Sequence, residues 1–275
     1  MKRVVVLVIG LAMLCGCGAV VEAPEVQYTA TQPAFTTIPS PPENKSGNYE
    51  ERFPLYLSLP EDDIYLYGIE GGNFERGVVL FQENCESYFG SWGGSSWRGY
   101  NEMIYHDFDG DGKKDIGVIL YQASGTGLYL SDLHIVSSEK IQVGVTASYM
   151  GDPIYQFKHT DHVFTHEDVS AFFNERLTAK RGKQKNTVEF TIGKKTWTAD
   201  LEPDETWNAG EGVLVGTHIE FEFEGTSIRL RAAPYVIYEE RALPGWLLGG
   251  FTADVTFDGK EFHLTNIDYE PDQEN

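Results

Sequence analysis

Three hairpins can be read from the second half of this sequence, and they constrain the fold more than any other feature. In each one, apolar and polar residues alternate, a glycine-containing turn follows, and the alternation resumes. Alternation with a period of two places the apolar side chains on one face of a strand, and Asp-Gly is a strong signal for a hairpin turn. The apolar positions and turns are Val188, Phe190 and Ile192 with Gly193-Lys194; Ile219, Phe221 and Phe223 with Gly225; and Phe251, Ala253, Val255 and Phe257 with Asp258-Gly259. This half of the chain is therefore predicted to form antiparallel β-structure.

Short β-like segments separated by turn residues also fill the chain from about residue 50 onward. Branched and aromatic residues are enriched in them, as is typical of strands. The segments are Ile64–Tyr67, Val78–Phe81, Glu102–Asp107, Ile116–Gln122 and Leu128–Val136.

One helix is predicted between the two β regions. Thr165 can cap it, with Asp168 three residues later as an approximate capping box. An apolar stripe with helical spacing follows, and Gly182 is a candidate stop. The stripe consists of Val169, Phe172, Phe173 and Leu177. This helix is expected to pack on a sheet.

We therefore expect a mainly β fold with one packed helix (α+β), in which antiparallel hairpins form a sandwich-like arrangement and not a full propeller. The helix suggests a division into an N-terminal β region, residues 50–160, and a helix plus C-terminal hairpin region, residues 161–275. A single continuous domain over residues 50–275 is equally compatible with the pattern. No internal repeat of fixed period is present.

The N-terminus has the organisation of an export signal. Lys2-Arg3 precedes the apolar run Val4–Leu14, which at about eleven residues is shorter than the roughly 20 that a membrane span needs. The following Leu14-Cys15-Gly16-Cys17 resembles a bacterial lipoprotein signal. This resemblance implies a cleaved signal over residues 1–16, lipid on Cys17, and a location on the extracytoplasmic face of the cell membrane. An ordinary signal peptide without lipid is the alternative. Residues 17–49, rich in Pro and Thr, are expected to form a linker.

Charge and cysteine content restrict the classes of partner and of fold. The formal net charge is −21, which argues strongly against nucleic acid as a ligand because phosphates would be repelled. The acidity indicates either a solvated surface or an attraction for cations such as Ca²⁺. Cys85 is the one cysteine beyond residue 17, so no intramolecular disulfide is expected and the core has to stabilise the fold.

The clearest chemical signal is the acidic loop from Asp107 to Asp115, in which four carboxylates fall within nine residues. Hard oxygen ligands at alternating positions suit Ca²⁺, and Gly112 allows a sharp turn. Val118, at the position of the bidentate glutamate, and the β-like flanks argue against an EF-hand and favour a Ca²⁺ loop inside a β-hairpin. The alternative is a polar turn without metal.

The pattern Asp-x-Asp-x-Asp-Gly-x-x-Asp before an apolar strand resembles the FG-GAP/VCBS-type calcium repeat. The resemblance implies a Ca²⁺ site formed by Asp107, Asp109, Asp111, the carbonyl of Lys113, and Asp115. Only one copy is present, so the propeller of that family is not implied. The stretch Asp107–Val136 also resembles exported clostridial-type lipoproteins, which implies a Gram-positive host.

Two further patterns in the sequence are weaker. The Gly-rich segment 88–100 carries aromatic residues, and Trp92, Trp97 and Tyr100 can either fill the core or stack on sugar rings. Three histidines, His159, His162 and His166, lie near Asp161, but without cysteine they indicate solvent-facing side chains near a helix start more than a zinc site.

These patterns favour a lipid-anchored extracytoplasmic calcium-binding module with a non-catalytic surface, ligand-binding or envelope-accessory role, and no enzyme activity is expected. Its ligand is expected to be a glycan or a protein. A carbohydrate-binding module using the aromatic segment and a cell-envelope hydrolase are the alternatives. No hydrolase signature is present, although paired acids distant in sequence can act together in glycoside chemistry.

Overall fold

The computed structural model describes residues 54–69, 77–83, 85–93, 100–145, 152–184, 186–201, 212–237 and 247–271. All of them belong to the compact unit Pro41–Asn275. Cys17, Trp97 and residues 17–49 lie outside the described residues.

The strands are β1 Leu55–Leu59, β2 Ile64–Gly68, β3 Val78–Gln82, β4 Cys85–Phe89, β5 Glu102–His106, β6 Asp115–Gly125, β7 Leu128–Val145, β8 Pro153–Phe164, β9 Leu177–Arg181, β10 Thr187–Ile192, β11 Lys195–Asp200, β12 Gly212–Glu224, β13 Ser227–Ile237, β14 Gly250–Phe257 and β15 Phe262–Glu270. The single α-helix among these residues, α1, is His166–Asn174.

The strands form three sheets. A four-stranded sheet has the order β1-β2-β3-β4, and a three-stranded sheet has the order β11-β10-β9. The large sheet has eight strands in the order β15-β14-β13-β12-β7-β6-β5, with β8 paired to β7. All pairs are antiparallel except β12 with β7. Strands from both sides of residue 160 are therefore hydrogen-bonded in the large sheet.

The three hairpins predicted from alternation are confirmed. They are β10–β11, β12–β13 and β14–β15. Gly193, Gly225 and Gly259 all have positive φ, the backbone conformation that glycine adopts most easily.

The layers are sandwich-like because β6 and β7 are covered on both faces. On β6, Ile116, Val118 and Leu120 point into a core shared with the four-stranded sheet. Ile119, on the opposite face, belongs to a second core shared with β10 and α1. Since successive side chains of a strand point to opposite faces, burial on both faces accounts for the continuous apolar run of β6.

The predicted helix is present but short. Thr165 accepts a hydrogen bond from the backbone N–H of Asp168, whose side chain accepts from the backbone N–H of Thr165, which completes the capping box. Val169 and Phe173 are buried against the larger core. The prediction that Leu177 belongs to the helix is wrong: the helix ends at Asn174, and Leu177 starts β9, where it pairs with Ile192. Sheet pairing decides the structure of this residue.

Within the described part of the chain, no helix has the length and apolar character of a bilayer-crossing segment.

Candidate functional site

The acidic loop lies in the turn between β5 and β6. At the base of the loop, His106 of β5 pairs with Asp115 of β6. The ring of Phe108, the second residue of the loop, stacks on Phe223 of β12 with 6.2 Å between ring centroids. Gly110 and Gly112 both adopt positive φ, 76° and 86°. The loop therefore folds tightly between two regular strands, and Phe108 attaches it to β12 of the large sheet.

Hydrogen bonds inside the loop arrange the carboxylates. Asp107 accepts from the backbone N–H groups of Gly110 at 2.8 Å and Gly112 at 2.9 Å. Asp109 accepts from the N–H of Asp111 at 3.0 Å. Such bonds orient the aspartates without using all of their lone pairs, so each carboxylate keeps the capacity to bind a cation.

Asp115 is the buried member of the loop, with 3 % of its surface exposed. It accepts from the Ser137 hydroxyl at 2.6 Å and from the backbone N–H of Phe108 at 3.1 Å. Burial raises the pKa of this carboxyl, the two hydrogen bonds oppose the rise, and the charges of Asp109 and Asp111 add to it. A cation at this position would relieve both the burial cost and the repulsion.

Three of the predicted ligands converge. Asp107, Asp109 and Asp115 each offer an oxygen, and these atoms all lie within 4.8 Å of one another. Asp111 is not part of this group: its side chain accepts from the N–H of Lys113 at 2.7 Å and lies 3.9 Å from the Lys113 ammonium. Oxygen donors at this spacing suit a hard divalent cation such as Ca²⁺.

Trp92 fills the core and does not lie on a ligand-binding surface, so of the two alternatives for this residue the structure agrees with the first. Its side chain is 1 % exposed and lies between the rings of Phe89, at 4.4 Å, and His134, at 4.0 Å. Its indole Nε1 donates to Asp161 at 2.7 Å. Tyr100 is 50 % exposed, and the sequence pattern alone could not separate the two residues.

The three histidines are half-buried, so the interpretation that they are free solvent-facing side chains needs correction for His159 and His166, which have polar partners. His159 lies between the hydroxyls of Ser87, at 2.7 Å, and Ser138, at 2.9 Å. Burial lowers the pKa of His159, and the nearby Asp161 opposes this. Asp161 also lies 3.1 Å from Nδ1 of His134.

These groups form an inter-sheet network, defined here as Ser87, Trp92, His134, Ser138, His159 and Asp161. It joins the four-stranded sheet and the segment after it to β7 and β8. The bonds from Ser87 and Trp92 span sequence separations of 72 and 69 residues, so no local sequence signal could have indicated them. The arrangement satisfies polar groups at a sheet interface.

His166 lies between two carboxylates at the start of α1. Its Nδ1 lies 2.8 Å from Asp132 and its Nε2 3.1 Å from Glu167. The hydrogen bond to Asp132 raises the pKa of His166, burial opposes this, and the charges of Asp132 and Glu167 add to the rise. The same three residues form the second group with metal-ligand spacing among the described residues. The two ring nitrogens of His166 each contact a different acid, as in an ion pair with a protonated histidine.

A pH dependence follows from His166. A folded-state pKa above the ordinary value of about 6.5 means that its stabilising contribution is complete below that value and is lost as pH rises through the folded pKa. We expect the difference in urea midpoint between wild type and His166→Gln to shrink from pH 5.5 to pH 8.5. His263→Gln, at an exposed ion pair with Asp258, serves as the control. A difference independent of pH would contradict the assignment of His166 as protonated.

The chain matches no protein-family model, no curated protein and no solved structure.

Proposed function

We propose that this chain is a lipid-anchored extracytoplasmic calcium-binding module with a non-catalytic surface or envelope-accessory role. The observation that carries the calcium part is the convergence of Asp107, Asp109 and Asp115 in a closed turn between two strands. The lipid anchor is supported by the resemblance of Leu14–Cys17 to a lipoprotein signal. Ca²⁺ would fix the turn that joins β5 to β6, next to the contact between Phe108 and Phe223.

The role of calcium in this proposal is structural. Asp115 is held by the N–H of Phe108 and the hydroxyl of Ser137 on β7. A cation bound to Asp115 therefore connects the loop to the central strands of the large sheet. Extracellular modules bind Ca²⁺ with dissociation constants of about 10⁻⁴–10⁻³ M, so a calcium-rich medium would keep such a site largely filled.

Carbohydrate binding is the second candidate function, and the exposure of Tyr100 favours it. Of the three aromatic residues that the sequence indicated for sugar stacking, only Tyr100 supports this function, because Trp92 is buried and Trp97 lies outside the described residues.

Thermal unfolding with EDTA and with about 10 mM Ca²⁺ tests the calcium proposal. For the dissociation constants above, binding adds about 1.4–2.7 kcal/mol, which corresponds to a rise in midpoint of about 3–10 °C for a domain of this size. We expect Asp107→Asn to abolish the rise. Asp115→Asn is expected to raise the midpoint in EDTA, because it removes a buried charge, and also to abolish the response to Ca²⁺.

Asp258→Asn is the matched control, since Asp258 also accepts backbone N–H groups in an Asp-Gly turn, from Lys260 and Glu261. It should leave the calcium response intact. A wild-type midpoint that does not change with Ca²⁺ would reduce the loop to an acidic turn.

Membrane fractionation tests the anchor. The wild-type chain is expected in the membrane fraction of an expressing Gram-positive host, and Cys17→Ser is expected in the soluble or secreted fraction. Cys15→Ser is the control and should remain with the membrane. Equal distribution of wild type and Cys17→Ser would overturn the assignment of Cys17.

A further inference from the structure

Three tyrosines form a half-exposed aromatic cluster at one end of the large sheet. Tyr100 lies 5.2 Å from Tyr121 and 6.2 Å from Tyr129 between ring centroids, and Tyr121 lies 5.5 Å from Tyr129. Tyr121 is 3 % exposed and Tyr100 is 50 % exposed. The side chain of Asn101 holds the cluster in place, since its Oδ1 accepts from the backbone N–H of Tyr121 at 2.8 Å. Tyr100 therefore presents an aromatic surface supported from behind by buried structure.

Acidic side chains lie on the strands next to this cluster. Glu102 is the first residue of β5, two positions after Tyr100, and Glu220 and Glu222 lie on β12. His218 connects the groups, because its ring lies 5.6 Å from that of Tyr129 and its Nε2 lies 3.5 Å from a Glu220 oxygen. Tyrosines and carboxylates thus belong to one surface.

The pKa shifts of Tyr129 and Glu102 have causes that include the neighbouring carboxylates. Burial raises the pKa of Tyr129 to about 12, with Glu220 and Glu102 adding to the rise. Burial also raises the pKa of Glu102, and Glu222 and Glu220 contribute. The carboxylates of Glu102, Glu220 and Glu222 therefore repel one another, and Glu102 and Glu220 also interact electrostatically with Tyr129.

No lysine or arginine within the described ranges lies close enough to Glu102, Glu220 or Glu222 to form an ion pair. Arg231 and Arg229 stand opposite Glu220 and Glu222 in the β12–β13 ladder. Their ion pairs are made elsewhere, by Arg231 with Glu270 and by Arg229 with Glu224 and Glu270. Glu102, Glu220 and Glu222 are therefore not in ion pairs with an arginine of the described residues, while Arg229 and Arg231 lie on the same face as Glu222 and Glu220 and reduce its net negative charge.

We propose that this tyrosine surface, defined as Tyr100, Tyr121, Tyr129, Glu102 and Glu220, binds an organic cation with an ammonium or guanidinium group. A cation over a tyrosine face is attracted by the ring quadrupole, and carboxylates around the ring add a direct charge interaction. A neutral sugar could use the aromatic face but would gain much less from the carboxylates. The inference is independent of the calcium loop and of the lipid anchor.

Choline is a suitable probe, because its uncharged isostere 3,3-dimethyl-1-butanol has the same shape. Calorimetric titration of the purified full chain, in buffer with EDTA, is expected to show saturable choline binding at least about tenfold tighter than that of the isostere. Raising the salt concentration should weaken choline binding, since the carboxylates are exposed or half-buried. Equal binding of both probes, or no saturable choline binding, would overturn the proposal.

Substitutions within the tyrosine surface test whether choline binds there. Tyr100→Ala and Glu102→Gln are each expected to weaken choline binding severalfold, whereas Tyr100→Phe should retain most of it because the ring remains. Tyr88→Ala, at a tyrosine that is 38 % exposed on β4, is the matched control, and Asp107→Asn excludes adventitious binding at the calcium loop.

Two further outcomes would contradict the proposal. Loss of binding in the Tyr88 or Asp107 variant, with Tyr100→Ala unchanged, would move the site elsewhere. Saturable binding of a neutral oligosaccharide that Tyr100→Ala abolishes, without choline binding, would identify the surface as a carbohydrate site.

Discussion

Replacing Trp92 with alanine is expected to lower the free energy of unfolding by about 3–5 kcal/mol. The indole is buried between Phe89 and His134 and belongs to the core that joins the four-stranded sheet to β6 and β7. Its removal leaves a cavity and also leaves Asp161 without its indole donor. The measurement is urea unfolding followed by circular dichroism.

Trp92→Phe helps to separate the two contributions, since a phenyl ring keeps most of the packing but lacks the donor to Asp161. This variant should cost about 1–3 kcal/mol. A Trp92→Ala protein as stable as wild type would contradict the assignment of this residue to the core and would reopen a surface role.

The second large effect is expected for Phe173→Ala, at about 3–5 kcal/mol. Phe173 is fully buried on α1, and its ring stacks on Phe251 of β14 at 5.2 Å. The helix has only nine residues, so its attachment to the sheet depends on few side chains. Short helices are marginal in isolation and are stabilised by such packing.

Phe172→Ala is a closely matched control, because the same substitution is made one position earlier on the same helix. Phe172 is half-buried, and its ring is covered by the Arg176 guanidinium at 4.2 Å. We expect this variant to lose less than half as much stability as Phe173→Ala. Equal losses would mean that helix formation, and not burial against Phe251, determines the effect.

The sequence predicted the strands well where one side of the strand faces the core and the turn has a distinctive residue. The pairs Phe190 with Trp197 and Phe223 with Ile228 follow from alternation and from the glycine turns between them. The capping box of Thr165 and Asp168 was also readable, since all of its atoms come from four consecutive residues. The helix end was not, because Leu177 is placed by pairing with β10.

The acidic loop could also be predicted from the sequence, because its residues are close together along the chain. Its carboxylates and glycines are adjacent in sequence, and the structure brings Asp107, Asp109 and Asp115 together. The role of Ser137 in holding Asp115 depends on how the loop rests on β7, so it required the sheet. Asp111 lies outside the group and is hydrogen-bonded within the loop itself, to the N–H of Lys113.

The sequence by itself determined a mainly β chain with hairpins, one capped helix start and one acidic turn, because each of these depends on residues close together along the chain. Only the tertiary structure decided which aromatics are buried and which form a surface. Trp92 and Tyr100 belong to one Gly-rich segment, yet Trp92 is held by Asp161, 69 residues away, and Tyr100 lies against Tyr121 and Tyr129. Burial depends on these contacts between distant strands, and no local pattern encodes them.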